Sequence, residues 1–144
     1  MENIRNLIEL MQSAISPIVL ISGVGLLLLS VTNRLGRAID RSRFLVQEIE
    51  AGNDTEKKHI QIRILYRRSK ILRASITSIS LTIFFASLMI LILFLGYFTQ
   101  LDISFFFITL FVLAIVSLIL GIIFFVMDVA VSLKALNIQV SEHF

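Results

Sequence analysis

Asp128 is the ionisable residue whose position most suggests chemistry, because it directly follows a 25-residue stretch without charge, Ile103–Met127. A carboxylate at such a position can form an ion pair, relay a proton or coordinate an ion. Arg34 and Arg73 stand at the ends of the other two uncharged stretches. We therefore expect an ion pair of Asp128 with one of them, and an ion path remains the alternative.

Basic residues form two stripes, each on one face of a predicted helix. Their members are Arg34, Arg37 and Arg41 in the first stripe, and Arg63, Arg67 and Lys70 in the second. Next to a membrane, each such residue gains about 1 kcal/mol from anionic lipid. The stripes therefore predict contact with lipid headgroups or with a protein partner. Nucleic acid is not an expected partner, because no aromatic residues interleave to stack on bases.

Asp40 lies inside the first stripe, three residues from both Arg37 and Arg43. This spacing suits an ion pair on one helix face. Asp40 is therefore a second candidate, beside Asp128, for an ion pair or an ion path.

The usual catalytic and cofactor motifs are missing from the sequence. With no cysteine, the chain cannot form disulfides, thiolate metal sites or iron–sulfur clusters. His59 and His143 are isolated from other ligand residues, and no phosphate-binding loop, nucleophile elbow or HExxH motif occurs. We expect no enzymatic activity, no metal and no cofactor.

Hydrophobic stretches must position these charged residues. The 144 residues are 57% hydrophobic and 16% charged, and three windows of 24, 28 and 25 residues carry no charge: Leu10–Asn33, Ala74–Leu101 and Ile103–Met127. A transmembrane helix needs about 20 apolar residues. The sequence therefore predicts an all-α membrane protein with three transmembrane helices.

The distribution of charge predicts the orientation. Eleven of the thirteen Lys and Arg residues lie between Arg34 and Arg73, where only five acidic residues accompany them. Short basic loops are retained in the cytoplasm. We expect the N-terminus outside, the basic segment inside and the C-terminus, with Lys134, inside.

The predicted segments follow from these windows, with a break in the helix expected at Ser16-Pro17 because proline favours a helix start. They are an outer-surface amphipathic segment (1–13), transmembrane helix 1 (14–33), a basic cytoplasmic helical hairpin (34–73), transmembrane helix 2 (74–98), transmembrane helix 3 (103–127) and a cytoplasmic C-terminal tail (128–144). Helix 3 is expected to continue past Asp128 into this tail.

The basic segment divides into two arms, residues 34–51 and 55–73, around a turn containing Gly52. Apolar and small residues recur at alternating intervals of three and four, as in a coiled-coil seam. They are Leu35, Ala38, Ser42, Leu45 and Ile49 in the first arm, and Ile62, Leu65, Ser69, Leu72 and Ile76 from the second arm onward. The pattern predicts an antiparallel hairpin in which each arm is about 27 Å long.

Small residues cluster in the first two predicted spans. They are Ser22, Gly23 and Gly25 in the first, and Ser75, Ser78 and Thr82 in the second. Small side chains let helices approach closely in lipid, so these positions predict helix packing within one chain or between subunits. A face that lines a water-filled path in a homo-oligomer is the alternative.

The N-terminal part of the chain also carries a motif pattern. Ile15-Ser16-Pro17, the stretch ISGVG that starts at Ile21, and an NRxxRxxDRxR pattern from Asn33 to Arg43 follow one another. Together they resemble the signature of an uncharacterised bacterial family of small three-span membrane proteins, classed as a domain of unknown function. The resemblance implies a bacterial inner-membrane location and carries no activity.

The sequence is compatible with two functions. The first is a non-enzymatic scaffold or adaptor, assembled as a homo-oligomer, whose basic hairpin contacts lipid headgroups or a protein. The second is a homo-oligomeric ion channel in which Arg34, Arg37 and Arg41 form a cytoplasmic ring that selects anions.

Overall fold

The chain forms three long helices in a computed structural model, which describes residues 2–52, 55–99 and 102–141, with the side chains of residues 4–52, 55–99 and 102–133. The helices are α1 (Glu2–Glu50), α2 (Glu56–Thr99) and α3 (Ser104–Ser141). Their 49, 44 and 38 residues each exceed the roughly 20 that cross a bilayer. Each helix is therefore long enough to extend beyond a membrane.

All three helices are also apolar enough to cross a membrane. Large apolar side chains in these stretches are exposed, among them Leu26 (72%), Phe105 (75%) and Phe111 (46%). Such surfaces are stable in lipid, and a helix satisfies every backbone hydrogen bond there within its own segment. The predicted all-α fold with three candidate transmembrane helices is confirmed.

The break predicted at Ser16-Pro17 is wrong, because α1 runs through Pro17 without interruption. Proline removes one backbone donor, yet transmembrane helices tolerate it when neighbouring groups compensate. Apolar residues continue on both sides of Pro17, and both Pro17 and Ala14 are buried. The predicted amphipathic segment is thus the first part of α1, where Leu10 is buried while Ile4 remains exposed.

The end of α1 is a glycine-dependent turn. Ala51 donates its N–H to the carbonyl of Gln47, and Gly52 donates to that of Ile49. Gly52 has a φ of +91°, a conformation that costs L-residues with a side chain about 1–2 kcal/mol. Gly52 therefore ends the helix as predicted. Near this turn, Lys58 Nζ of α2 lies 3.3 Å from Glu48 Oε2 of α1.

The start of α3 is set by Asp102. Its Oδ1 accepts a hydrogen bond from the Ser104 N–H at 3.0 Å. Hydrogen bonds from the side chain and the backbone of Ser104 lower the pKa of Asp102. The ionised carboxylate therefore satisfies an otherwise free donor in the first turn of α3. The expected continuation of the helix past Asp128 is confirmed, while the side chain of Lys134 lies outside the described residues.

The chain divides into two compact units. The first comprises residues 1–28 and 78–120. Its buried residues recur at intervals of three, four or seven along each helix, which keeps them on one face. They are Leu10, Ala14, Pro17 and Val24 on α1, Ile79, Thr82, Ala86, Met89 and Gly96 on α2, and Ala114 and Ser117 on α3.

The second unit comprises residues 29–77 and 121–144. Its core continues the same spacing through Val31, Ala38 and Leu45 on α1 and through Leu72 and Ser75 on α2. Each of the ten seam residues predicted for the two arms is buried or half-buried. This unit also contains the one fully buried charge among the described side chains, Asp128 on α3.

Candidate functional site

Asp128 lies between two arginines from two other helices. Arg34 of α1 donates from Nε to Oδ2 at 3.2 Å, and its Nη2 lies 3.0 Å from the same oxygen. Arg68 of α2 donates from Nε to Oδ1, at 3.0 Å. The carboxylate has no exposed surface, whereas the arginine side chains are 26% and 18% exposed. These three residues are called the Asp128 cluster below.

Two members of the cluster lie at the ends of apolar stretches: Arg34 directly follows the first uncharged window, and Asp128 directly follows the third. Arg68 lies six residues before Ala74, where the second window starts, which is about 9 Å along α2. Each helix therefore contributes one charged side chain near its apolar stretch. The Asp128 cluster links α1, α2 and α3 within the second unit.

The cluster carries a net charge of +1. A buried carboxylate is strongly disfavoured unless ion pairs and hydrogen bonds replace its hydration. Here both oxygens accept charge-assisted hydrogen bonds, and the described residues contain no buried side-chain polar atom without a partner. The Arg34 guanidinium also lies 5.4 Å from the centre of the Phe125 ring, a cation–π distance.

A second interhelical contact lies beside the cluster. Ser75 Oγ of α2 donates to the carbonyl of Gly121 on α3 at 2.7 Å, and Ser75 is fully buried. Because glycine has no side chain, α2 can approach the α3 backbone at this point. Hydrogen bonds of this kind contribute about 0.6 kcal/mol on average in membrane helices, so this contact supports the ion pairs without replacing them.

Asp128 pairs with Arg34, one of the two alternative partners predicted for it, and not with Arg73, which is exposed. Arg68 is the second partner of Asp128 and was not predicted. It lies four residues before the buried Leu72 and therefore on the inward face of α2. Arg73 is one residue past Leu72, and one residue turns a helix by about 100°. In α3, the buried residues Ala114, Ser117 and Gly121 precede Asp128 at helical spacing, so Asp128 also lies on the inward face.

The remaining residues of the two basic stripes lie on the surface. Of the six predicted contact residues, all except Arg34 are exposed: Arg37, Arg41, Arg63, Arg67 and Lys70. Arg41 lies 5.4 Å from the centre of the Phe44 ring, and Lys70 Nζ lies 5.0 Å from that of Tyr66. Asp40 is exposed and forms no ion pair within the described part of the chain.

The predicted packing residues fall into two groups. In α2, Ser75 and Thr82 are buried and Ser78 is half-buried. In α1, Ser22 and Gly23 are exposed, and Ser22 donates to the carbonyl of Ile18 in its own helix. A methyl group added at Gly23 or Gly25 would meet no atom within 4 Å. These two glycines therefore make no close helix contact within the described part of the chain.

The arrangement suits structural ion pairing, and it offers no set of metal ligands. Among the described residues, no three His, Asp or Glu side chains are grouped so that they could hold a metal ion. Both Asp128 oxygens are already engaged by arginine donors, which leaves this carboxylate poorly placed to act as a base or an ion ligand.

Comparison with known proteins yields one family. A family model described as "Protein of unknown function (DUF2721)" matches residues 14–138, which include all three members of the Asp128 cluster. No curated protein and no solved structure matches the chain.

The buried charge makes a clear prediction for stability. In Asp128→Asn the side chain keeps its shape but loses its charge, so Arg34 and Arg68 lose their shared counter-ion. We expect the free energy of unfolding to fall by about 3 kcal/mol, because removing one partner leaves buried charge uncompensated. Denaturant titration in detergent micelles, followed by circular dichroism, measures this change.

Arg73→Gln is the control for that experiment. It removes an exposed charge close to the cluster in sequence, so the free energy of unfolding should change by no more than about 0.5 kcal/mol. Equal stability of Asp128→Asn and Arg73→Gln would contradict a structural role for the buried carboxylate.

Proposed function

Since the chain belongs to the DUF2721 family of proteins of unknown function, we propose its role from its own charged residues. The protein is a non-enzymatic membrane scaffold or adaptor. Its two basic arms contact anionic lipid headgroups or a protein partner. The three helices that could cross a membrane provide the anchor.

The observation that carries this proposal is the division of the arginines into two groups. Arg34 and Arg68 are directed at Asp128, while Arg37, Arg41, Arg63, Arg67 and Lys70 stay exposed without an ion pair among the described residues. Exposed cations beside a membrane can bind anionic surfaces at about 1 kcal/mol each. The arms therefore present charge outward after the internal carboxylate has been satisfied.

The same division supports a non-enzymatic role. Asp128 was the residue best placed for proton relay or ion coordination, and it is fully buried with both oxygens engaged. Asp40, the other candidate, is exposed. We infer that Asp128 is a structural ion-pair residue and that no catalytic set or cofactor is involved.

The arms form an antiparallel hairpin on the cytoplasmic side of the bacterial inner membrane in this proposal. Support comes from the half-buried or buried seam residues, from the Lys58–Glu48 ion pair near the turn, and from the concentration of eleven basic residues in this segment. Positive loops stay in the cytoplasm, so the N-terminus lies outside and the C-terminus inside.

The scaffold assembles as a homo-oligomer in this proposal. Ser22 and Gly23 are the contact positions, because they are exposed on the first span and small residues allow helices to pack closely in lipid. The channel alternative draws on the same surface, as a polar face lining a path. It has weaker support, because Arg34 is paired with Asp128 and leaves only Arg37 and Arg41 for a selecting ring.

The contact role of the arms is tested by removing charge from the second arm. We expect Arg63→Gln, Arg67→Gln and Lys70→Gln together to weaken binding to phosphatidylglycerol vesicles by about 100-fold, because three cations contribute about 1 kcal/mol each. The full chain in nanodiscs of neutral lipid is mixed with the vesicles, and the bound fraction is measured by co-sedimentation.

A charge-conserving variant is the matched control. Arg63→Lys, Arg67→Lys and Lys70→Arg together keep the net charge, so binding should stay within about threefold of the original if the attraction is electrostatic. If the triple Gln variant binds as tightly as the original chain, the arms do not contact anionic lipid in the proposed way.

The proposed orientation is tested by labelling single cysteines, since the chain has none of its own. Thr55→Cys, near the turn between the arms, should be shielded from an impermeant thiol reagent in intact cells. Asp102→Cys, between the second and third spans, should be labelled. Both parent residues are exposed, so accessibility reports the side of the membrane. The reverse labelling pattern would invert the orientation.

A further inference from the structure

We propose that the Asp128 cluster is a binding site for a phosphate group, supplied by the headgroup of an anionic phospholipid or by free phosphate. The site consists of the N–H groups of Arg34 and Arg68 that do not contact Asp128. It is independent of the exposed arm residues, because it depends on buried geometry rather than on surface charge. It would exist even if the arms bound nothing.

The cluster carries an excess of positive charge. Two arginines surround one carboxylate, which leaves one positive charge uncompensated inside the second unit. Phe125 and the fully buried Leu72 and Val31 contribute apolar surroundings in this unit. Water screens charge poorly in such surroundings, so a single anion is attracted more strongly here than at an exposed arginine.

The cluster also has unused hydrogen-bond donors. Two guanidinium groups offer ten N–H bonds, and the carboxylate uses only those of Arg34 Nε and Nη2 and of Arg68 Nε. Among the described residues, Arg34 Nη1 and both Nη groups of Arg68 donate to no protein acceptor. Guanidinium forks match the oxygens of a phosphate in pairs.

The two arginines of the cluster are accessible from outside the protein. The arginine side chains remain 26% and 18% exposed, whereas the carboxylate is completely covered. An anion that approaches from outside can therefore reach the arginine side chains without meeting the covered carboxylate.

The depth of the cluster in a bilayer follows from its place in the sequence. Arg34 and Asp128 directly follow their uncharged windows, so they lie where the apolar stretches of α1 and α3 end. In a bilayer, headgroup phosphates begin where the hydrocarbon core ends. The cluster is thus expected at the level of lipid phosphates, which favours the lipid as the source.

The two arginines are pre-organised for binding an anion. A solvated arginine such as Arg73 loses side-chain freedom when it binds an anion, and this cost weakens binding. Arg34 and Arg68 are already held by Asp128, with three charge-assisted contacts. The carboxylate thus acts as a positioning residue for the two phosphate donors.

The test measures binding of two soluble probes to the purified full chain in a neutral detergent. Short-chain phosphatidylglycerol and inorganic phosphate are titrated separately by isothermal calorimetry, with short-chain phosphatidylcholine as the comparison lipid. We expect saturable binding at one site per chain. Binding of phosphatidylglycerol well above inorganic phosphate identifies the lipid as the source, and equal binding identifies the phosphate group alone.

Variants connect the binding to the cluster. Arg68→Gln leaves a neutral pair of Arg34 and Asp128, and the affinity should fall at least about tenfold, as expected for the loss of charged hydrogen bonds. Arg73→Gln removes the same charge from an exposed position and should change the affinity by less than about threefold.

A second variant covers the case in which Arg68→Gln does not fold. Arg68→Lys keeps the charge and an ion pair with Asp128, but it loses the planar fork, so the affinity should again fall about tenfold. The proposal is overturned if neither probe binds saturably. It is equally overturned if Arg73→Gln loses as much affinity as Arg68→Gln, or if Arg68→Lys binds as well as the original chain.

Discussion

The carboxylate of Asp128 imposes the strongest constraint on this protein, because it is ionisable and has no contact with water. Taking such a group out of water costs several kcal/mol, which only close opposite charges with good hydrogen-bond geometry can offset. Arg34 and Arg68 supply those charges from two other helices, so all three helices must keep one register in the second unit. The buried ion pairs therefore contribute little net stability themselves. Any other arrangement of the helices is penalised, because it would leave the buried carboxylate without its partners.

This constraint also organises the rest of the basic segment. Two of its eleven basic residues are directed inward, and the five exposed members of the stripes retain their charge for outside contacts. The seam of the two arms places Leu45 and Leu72 inside, which keeps the charged residues on the surface. The proposed scaffold role and the proposed phosphate site thus arise from two separate sets of arginines that one helical periodicity distinguishes.

The extent to which sequence predicts this structure depends on the type of feature. Three uncharged windows predict three helices, because only a helix satisfies its backbone in lipid over such a length. The end of α1 at Gly52 also follows from a local property, the freedom of glycine at positive φ. The break expected at Ser16-Pro17 failed because proline is a weak signal inside an apolar helix, where tertiary surroundings decide. Arg34 is one of the two alternative partners predicted for Asp128, whereas the second partner, Arg68, was not predicted. Its interval of four residues from the buried Leu72 could have identified it.

Double-mutant cycles test most directly whether the Asp128 cluster joins the three helices. The free energy of unfolding is measured for Arg34→Gln, Arg68→Gln, Asp128→Asn and the two double variants that contain Asp128→Asn. We expect a coupling energy of at least about 1.5 kcal/mol for each arginine with Asp128, as is typical of close partners in one buried network. Additive effects within about 0.5 kcal/mol for both arginines would mean that the carboxylate and the arginines act independently, and would contradict this account.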